Sequence, residues 1–361
     1  MNYKKNNYVQ INLYIIFILI ITGIFIFISG KNPKLEKYNN LHKNNTIEQN
    51  KHEEKKNEAV LSFNSLDIPF HPNLPPFKKY KYIYMYTIDV LSSAQNVEIL
   101  IPIPNNEKEK QYISDFIITP KPSAFVKIKG NLTAKYEIPQ LNQGQYNIII
   151  SGTAQVRTYN IKTAKKLNKN ISPETDITKY LLPEKGIESN DPYIVQIANN
   201  ITGVNREEII ENVYRYIQDN MSYRITDNLL SAKNALLQKT GKCGEYSAIM
   251  VALLRAKNIP ARIAIGNIAR ENNSSHNWVE VYFPEYGWVT YDPTAAPTVI
   301  KIHAPNGKLI KIEKRYDVSH DDLNYIQSGI NVFSPYFFRY TDEYKEATVS
   351  INQDISIVKI F

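Results

Sequence analysis

The sequence predicts an α+β protein in which a β-rich part precedes a buried helix and a set of antiparallel strands. Three observations carry this. Tyr80, Tyr82, Tyr84, Tyr86, Ile88 and Val90 alternate with Lys81, Ile83, Met85, Thr87 and Asp89, the period of two that puts one face of a strand inward. Ile249, Met250, Val251, Ala252, Leu253 and Leu254 form an unbroken apolar run inside a helical segment. Such a helix cannot expose any side cheaply, so it belongs in the middle of its domain. Arg262 to Ile268, Asn277 to Phe283 and Trp288 to Tyr291 then read as strands, the last two joined by the turn Pro284-Glu285-Tyr286-Gly287.

At 361 residues and 43% hydrophobic, the chain has room for two ordinary domains and a sizeable core. The formal charge is +8, but lysines and acidic residues are interspersed and no basic block with interleaved aromatics marks a groove. Nucleic acid is therefore not expected as a partner. Cys243 is the only cysteine, which excludes an internal disulfide and a cysteine-rich zinc site. The six histidines are scattered without a pair at helical ligand spacing, so neither a metal site nor a cofactor is expected. Oligomeric state is not written in the sequence.

In chain order, residues 1–30 read as a membrane anchor. Leu13 to Ile28 is almost wholly apolar, and with its flanks, residues 11–29, it reaches about the length that crosses a bilayer. The segment ends in bulky Phe25, Ile26, Phe27 and Ile28 with no Ala-x-Ala site, which favours an uncleaved anchor. Lysines flank both sides, so charge does not set the orientation; the bulk of the chain is expected outside the cytoplasm, since long domains cross regardless of charge. Residues 31–76 are rich in Lys, Asn, Glu and His and read as a tether too polar to bury a core. Residues 77–160 read as a small antiparallel β-sandwich, continued by Val97, Ile99, Ile101 and Ile103, Phe125 to Ile128 and Tyr146 to Val156. The tyrosine stripe is taken as a packed sheet face.

Residues 161–300 hold the helices. Asp191 to Asn200 is a short one. Asn205 is an N-cap with Glu207 and Glu208 in the first turn, and Ile209, Ile210, Val213, Tyr214 and Ile217 keep helical spacing. Ser231 to Gln238 is another, and Cys243 to Lys257 is the buried one, ended by Asn258 and Pro260. Residues 301–361 form a β-rich C-terminal extension in this reading. Strands are expected from Thr298 to Ile302 and Lys308 to Ile312, a helix from Asp317 to Ser328, and an alternating tail from Ala347 to Phe361.

The chemistry gathers between Gly241 and Thr294. Cysteine attacks as thiolate, and Cys243 opens a helix, where unpaired N–H groups and the helix dipole favour an anion. Gly241 and Gly244 leave room beside it. His276 is placed to accept and return a proton. A hairpin centred on Pro284 would set His276 opposite Asp292, whose carboxylate would then orient the ring. An oxyanion needs donors. The Cys243 N–H is the first; Gln238 or Tyr223 is expected to supply a second, with Gly244 and Trp278 as further substrate-side residues.

Gly241-Lys242-Cys243-Gly244, the run Leu254 to Arg262, His276-Asn277-Trp278-Val279-Glu280-Val281 and Gly287-Trp288-Val289-Thr290-Tyr291-Asp292-Pro293-Thr294 resemble the thiol, helix-to-strand, histidine and aspartate blocks of the transglutaminase-like superfamily. The helix ahead of Asn220-Met221-Ser222-Tyr223 resembles that family's lead-in. The resemblance covers about residues 170–300. It implies a papain-like core with the thiol on a central helix against an antiparallel sheet. It implies Cys243 as nucleophile, His276 as base and acid, and Asp292 as orienting carboxylate. The expected activity is acyl transfer from protein or peptide amides through a thioester, with hydrolysis favoured over amine transfer. A non-catalytic binding domain on the same fold, or a cell-wall amidase, is the alternative.

Overall fold

The structure, a computed structural model, describes residues 57–61, 74–107, 109–167, 176–225, 229–269, 275–294, 298–303, 309–315, 324–330, 337–339 and 349–360. The anchor expected at 11–29 and most of the tether lie outside these residues. The chain divides into two units, Met1–Asn57 and Glu58–Phe361, and the second holds everything that follows.

Seven strands come first: β1 (Ala59–Leu61), β2 (Lys78–Val90), β3 (Ala94–Pro102), β4 (Gln111–Thr119), β5 (Ala124–Ile128), β6 (Asn131–Leu141) and β7 (Gly144–Val156). The tyrosine alternation of β2 turns Tyr82, Tyr84, Tyr86, Ile88 and Val90 inward. After the one-turn helix Ile161–Ala164 and two short 3-10 turns come α1 (Pro192–Asn200), α2 (Arg206–Asn220), α3 (Ala232–Gln238) and α4 (Cys243–Ala256). The side chains of Asp191, Asn205 and Ser231 accept backbone N–H groups at the starts of α1, α2 and α3, the capping chemistry their sequences announce. The two-residue strands β8 (Ser222–Tyr223) and β9 (Thr240–Gly241) pair in parallel just before α4. Then come β10 (Ala261–Ile268), β11 (Ser275–Phe283), β12 (Gly287–Tyr291), β13 (Thr298–His303), β14 (Leu309–Arg315), β15 (Tyr325–Ile330), β16 (Phe337–Arg339) and β17 (Val349–Ile360).

These strands build a five-stranded sheet in the order β1-β4-β7-β2-β17 and two four-stranded sheets, β16-β3-β6-β5 and β12-β11-β10-β15. All neighbours within the three are antiparallel. Side chains of the first two sheets share one apolar core, which Ala269 and Ile326 also enter. A second core fills the space between α4 and the third sheet. Ala261, Ile263, Val279 and Val281, one face of β10 and β11, pack there against Ile249 to Leu254. The apolar run of α4 is thus buried on all sides, as its composition requires.

Residues beyond 300 are spread over the molecule. β17 pairs along the whole of β2, β16 borders β3, β15 closes the edge of β10, and β13 pairs with β14. The helix expected across Asp317 to Ser328 is corrected where it is described: Tyr325–Ile330 is a strand. The open edge of β10 decides this over local propensity. The far side of β15 is held by two carboxamides. Gln111 donates to the Gln327 carbonyl at 2.8 Å and accepts its N–H at 2.7 Å; Asn131 does the same with Ile330, at 2.8 and 2.7 Å.

A buried ion cluster ties β11 to the loop before β4. Glu280 is fully buried; its carboxylate accepts from Lys110 Nζ on one oxygen and from Arg262 Nε and Nη2, at 2.8 and 2.7 Å, on the other. Burial alone would raise the Glu280 carboxyl, but the two cations hold it below its ordinary value. Arg262 also lies 4.1 Å over the Trp288 ring. Removing only the anion strands two cations without solvent. We expect Glu280→Gln to lower the unfolding free energy by about 3–5 kcal/mol in urea titration, whereas a change under about 1 kcal/mol would show the cluster to be hydrated.

Candidate active site

Cys243 is the first residue of α4, and the turn before it is built by one carboxylate. Glu245 is fully buried; it accepts from Lys242 N at 3.1 Å and from Leu230 N at 2.9 Å, pinning the chain on both sides of the thiol. Gly241 has no side chain because a Cβ there would lie 2.5 Å from that of Glu245. Cys243 itself is partly exposed and forms no disulfide.

His276 enters from β11. Its Nε2 lies 2.7 Å from Asp292 Oδ2, which leaves Nδ1 as the ring nitrogen for the thiol. The hairpin that brings them together differs from the expected one. Phe283 pairs with Gly287, so the turn is centred on Glu285, with Gly287 at a φ of +71°. Moving the centre by one residue shifts the register by two, which keeps every side chain on its face. Continued past Val279 and Tyr291, this register sets Asp292 beside Trp278, and its carboxylate reaches the imidazole on the diagonal.

Asp292 is buried, and its other oxygen accepts from the Thr294 backbone N–H at 3.0 Å and from the Thr294 hydroxyl at 2.6 Å. Tyr325 of β15 donates its hydroxyl to Asp292 Oδ2 at 3.0 Å. The Tyr325 ring stacks on Trp278 at 4.5 Å and runs nearly parallel to the imidazole. Burial would lower the His276 pKa, but the hydrogen bonds and charges of Asp292 and Cys243 outweigh it and raise it to about 10. Burial would raise the Asp292 pKa, but His276 and Thr294 pull it down to about 2. A charged imidazolium–carboxylate pair is the state this surrounding favours.

The structure therefore brings Cys243, His276 and Asp292 together. The other expected residues separate. Tyr223 stands beside Cys243: it is 55% exposed, its hydroxyl meets the Cys243 backbone N–H, and partial burial, then the nearby sulfur, raise its pKa. Gly244 is buried within the first turn of α4. Gln238 ends α3 on the exposed surface, and no hydrogen bond among the described residues joins it to Cys243. Trp278 is corrected from a substrate-side residue to a packing one, since it is 1% exposed behind the imidazole. Three residues were missed. Glu245 could have been found from its place three residues after the helix start. Tyr325 has no local signal. Asn277, next to His276, lies with Oδ1 3.8 Å from the Cys243 sulfur.

A thiol at a helix start thus faces an imidazole backed by a carboxylate, an arrangement of side chains that recurs on several unrelated folds. Residues 195–293 match the transglutaminase-like superfamily model, and the chain carries a domain of that superfamily. A solved structure of a candidate cysteine protease from Cytophaga hutchinsonii aligns over 80% of this chain and 92% of its own, with a TM-score of 0.56 at 16% identity, a likeness of fold. An uncharacterized protein of Bacillus subtilis, YebA, is 29% identical over 213 residues, which are 49% of this chain and 27% of that protein. A protein-glutamine gamma-glutamyltransferase of Pseudomonas aeruginosa is 37% identical over 67 residues, 16% of this chain and 10% of that protein. The chain thus spans about a quarter or less of the curated relatives it matches. Among the described residues, no helix is long and apolar enough to cross a membrane, and no group of three or more metal-ligating side chains occurs.

The ion pair has a pH signature. The raised His276 pKa adds stability that is whole below about 6.5 and is lost as pH rises through about 10. The lowered Asp292 pKa adds stability present above about 3.8 and lost as pH falls through about 2. Both act fully between about pH 4 and 6.5. We expect the stability lost between pH 6 and 10 in urea unfolding to shrink by at least about 1 kcal/mol in His276→Gln. Equal losses in both proteins would mean the imidazole is not charged in the folded state.

Proposed function

We propose that this protein is a thiol acyl-transfer enzyme acting on amide bonds of proteins or peptides, with Cys243 as nucleophile. The observation that carries the reading is the part-buried 2.7 Å contact between His276 and Asp292 beside the thiol. An imidazole whose pKa is raised to about 10 takes the thiol proton and holds the thiolate as an ion pair. The sulfur attacks the amide carbonyl carbon, a C–S bond forms, and the carbonyl electrons move onto oxygen. The Cys243 N–H and, when the phenol turns outward, the Tyr223 hydroxyl are suited to bind that oxyanion. The imidazolium gives its proton to the departing nitrogen as the C–N bond breaks, leaving a thioester. A second nucleophile gives up its proton to His276, attacks the thioester, and releases Cys243.

Water is the acceptor we favour, which makes the reaction a hydrolysis; a lysine amine would make it a cross-link. The test is a mass spectrum of the protein quenched with a peptide-amide library, run in ¹⁸O-water. We expect an acyl adduct on the peptide carrying Cys243 and ¹⁸O in the released carboxylate. Cys243→Ala should abolish both, and Asp292→Asn should slow product formation by up to about 10⁴-fold. Wild-type turnover no faster than that of Cys243→Ala would leave a non-catalytic domain on this fold.

We also propose that residues 11–29 anchor the chain in a membrane with the remainder outside the cytoplasm. The apolar run from Leu13 to Ile28 supports this. Intact cells treated with external protease should lose the catalytic part while cytoplasmic markers survive. Protection equal to that of the markers would reverse the orientation.

A further inference from the structure

Asn277 is one residue past His276, and the alternation of β11 sends the two side chains to opposite faces of the sheet. His276 shares its face with Trp278 and Glu280. Asn277 shares its face with Val279 and Val281, which pack against α4. Its side chain is therefore wedged between the sheet and the start of the helix, where it is 5% exposed. The Cys243 thiol donates toward its Oδ1 at 3.8 Å, while its Nδ2 has no partner among the described residues. A carboxamide so buried, with its donor end unused, is rare in a folded protein.

We propose that Asn277 is a further residue of the nucleophile site, turning its amide to donate Nδ2–H to the Cys243 sulfur when that sulfur is a thiolate. This rests on the reading of Cys243 as an ionised nucleophile. A thiol has a hydrogen to give and matches Oδ1. A thiolate has only lone pairs, and a carbonyl oxygen set against it is repelled. The two ends of a carboxamide are alike in size, so a half-turn exchanges them without disturbing the packing. The turn gives the anion a donor and the buried N–H a partner at once. The sulfur then has three supports on different sides: the imidazolium from the strand end, the helix start behind it, and the amide from the helix-facing side of β11.

The charged and titratable groups around the sulfur are His276 with Asp292 behind it, Tyr223 from β8, and Lys242 and Glu245 at the start of its own helix. His276 is read separately below by its own variant.

The experiment is the rate of iodoacetamide alkylation of the full chain from pH 4 to 10, in wild type, Asn277→Leu, Asn277→Ala and His276→Ala. Leu keeps the shape of Asn and removes both polar ends, so the core loses an unpartnered amide and the melting temperature should hold or rise. We expect its alkylation rate at pH 6 to fall roughly tenfold, and the midpoint of the profile to move up by about one pH unit. Asn277→Ala should move the profile the same way, and it decides the matter if the Leu variant does not fold. A profile in Asn277→Leu or Asn277→Ala that overlays wild type, while His276→Ala loses its low-pH reactivity, overturns the role of Asn277 alone. A His276→Ala profile identical to wild type overturns the ion-pair reading itself.

Discussion

The arrangement around Cys243 depends on one part-buried contact, the imidazole of His276 against the buried carboxylate of Asp292. An ion pair of this kind is worth little in water and costs much in a dry interior unless its remaining lone pairs are met. Here they are met. Thr294 fills one carboxylate oxygen with two donors, and Tyr325 shares the other with the ring. Both carboxylate oxygens are thus engaged, and the carboxylate that holds Nε2–H makes the ring basic enough to keep a second proton on Nδ1, the sulfur side. Removing any of the donors would leave a buried charge less satisfied, so the stability of the fold and the state of the site are coupled at this point.

The surroundings of that contact come from distant parts of the chain. Tyr325 lies on β15, beyond the stretch that matches the superfamily model. It reaches Asp292 because β15 fills the edge of β10, and β15 is kept there by Gln111 and Asn131 of the β-rich part. Lys110 of the same part neutralises Glu280 on the strand that carries His276. The β-rich part is therefore structural support for the site, acting through side-chain amides and an ammonium group whose partners are all on or beside the catalytic sheet.

Much of this was legible in the sequence, and the parts that were not share a cause. The run Ile249 to Leu254 could only be a buried helix, Asn205 was legible as a cap, and the helices expected from Asp191 and Ser231 are present with those two residues as their caps. That Cys243, His276 and Asp292 lie together was readable because chain order and a short hairpin fixed their neighbourhood. The hairpin centre was misjudged by one residue: Pro284 suggested the turn, but Gly287 supplies the left-handed backbone that closes it. The face survived because strands have a period of two. What could not be read was everything set by non-local pairing. Tyr325–Ile330 is a strand because an open sheet edge waits for it, and nothing within those six residues says so. Tyr325 in the site, and Lys110 beside Glu280, were invisible for the same reason.

β11 is where these layers meet. Its even-numbered residues His276, Trp278 and Glu280 face the carboxylate, the aromatic stack and the ion cluster. Its odd-numbered residues Asn277, Val279 and Val281 face the helix that begins with the thiol. One strand therefore addresses the sulfur from both sides, and its pleat fixes the division of labour. A slip of one residue against β10 or β12 would bury His276 under α4 and carry Val279 toward the ion cluster. The cluster at Glu280 opposes that slip more strongly than the apolar contacts do. Valines tolerate a repacked neighbour at modest cost, whereas a buried carboxylate separated from two cations does not. On this argument the charges of Lys110, Arg262 and Glu280 keep the strand in register, and the register keeps the imidazole on the sulfur.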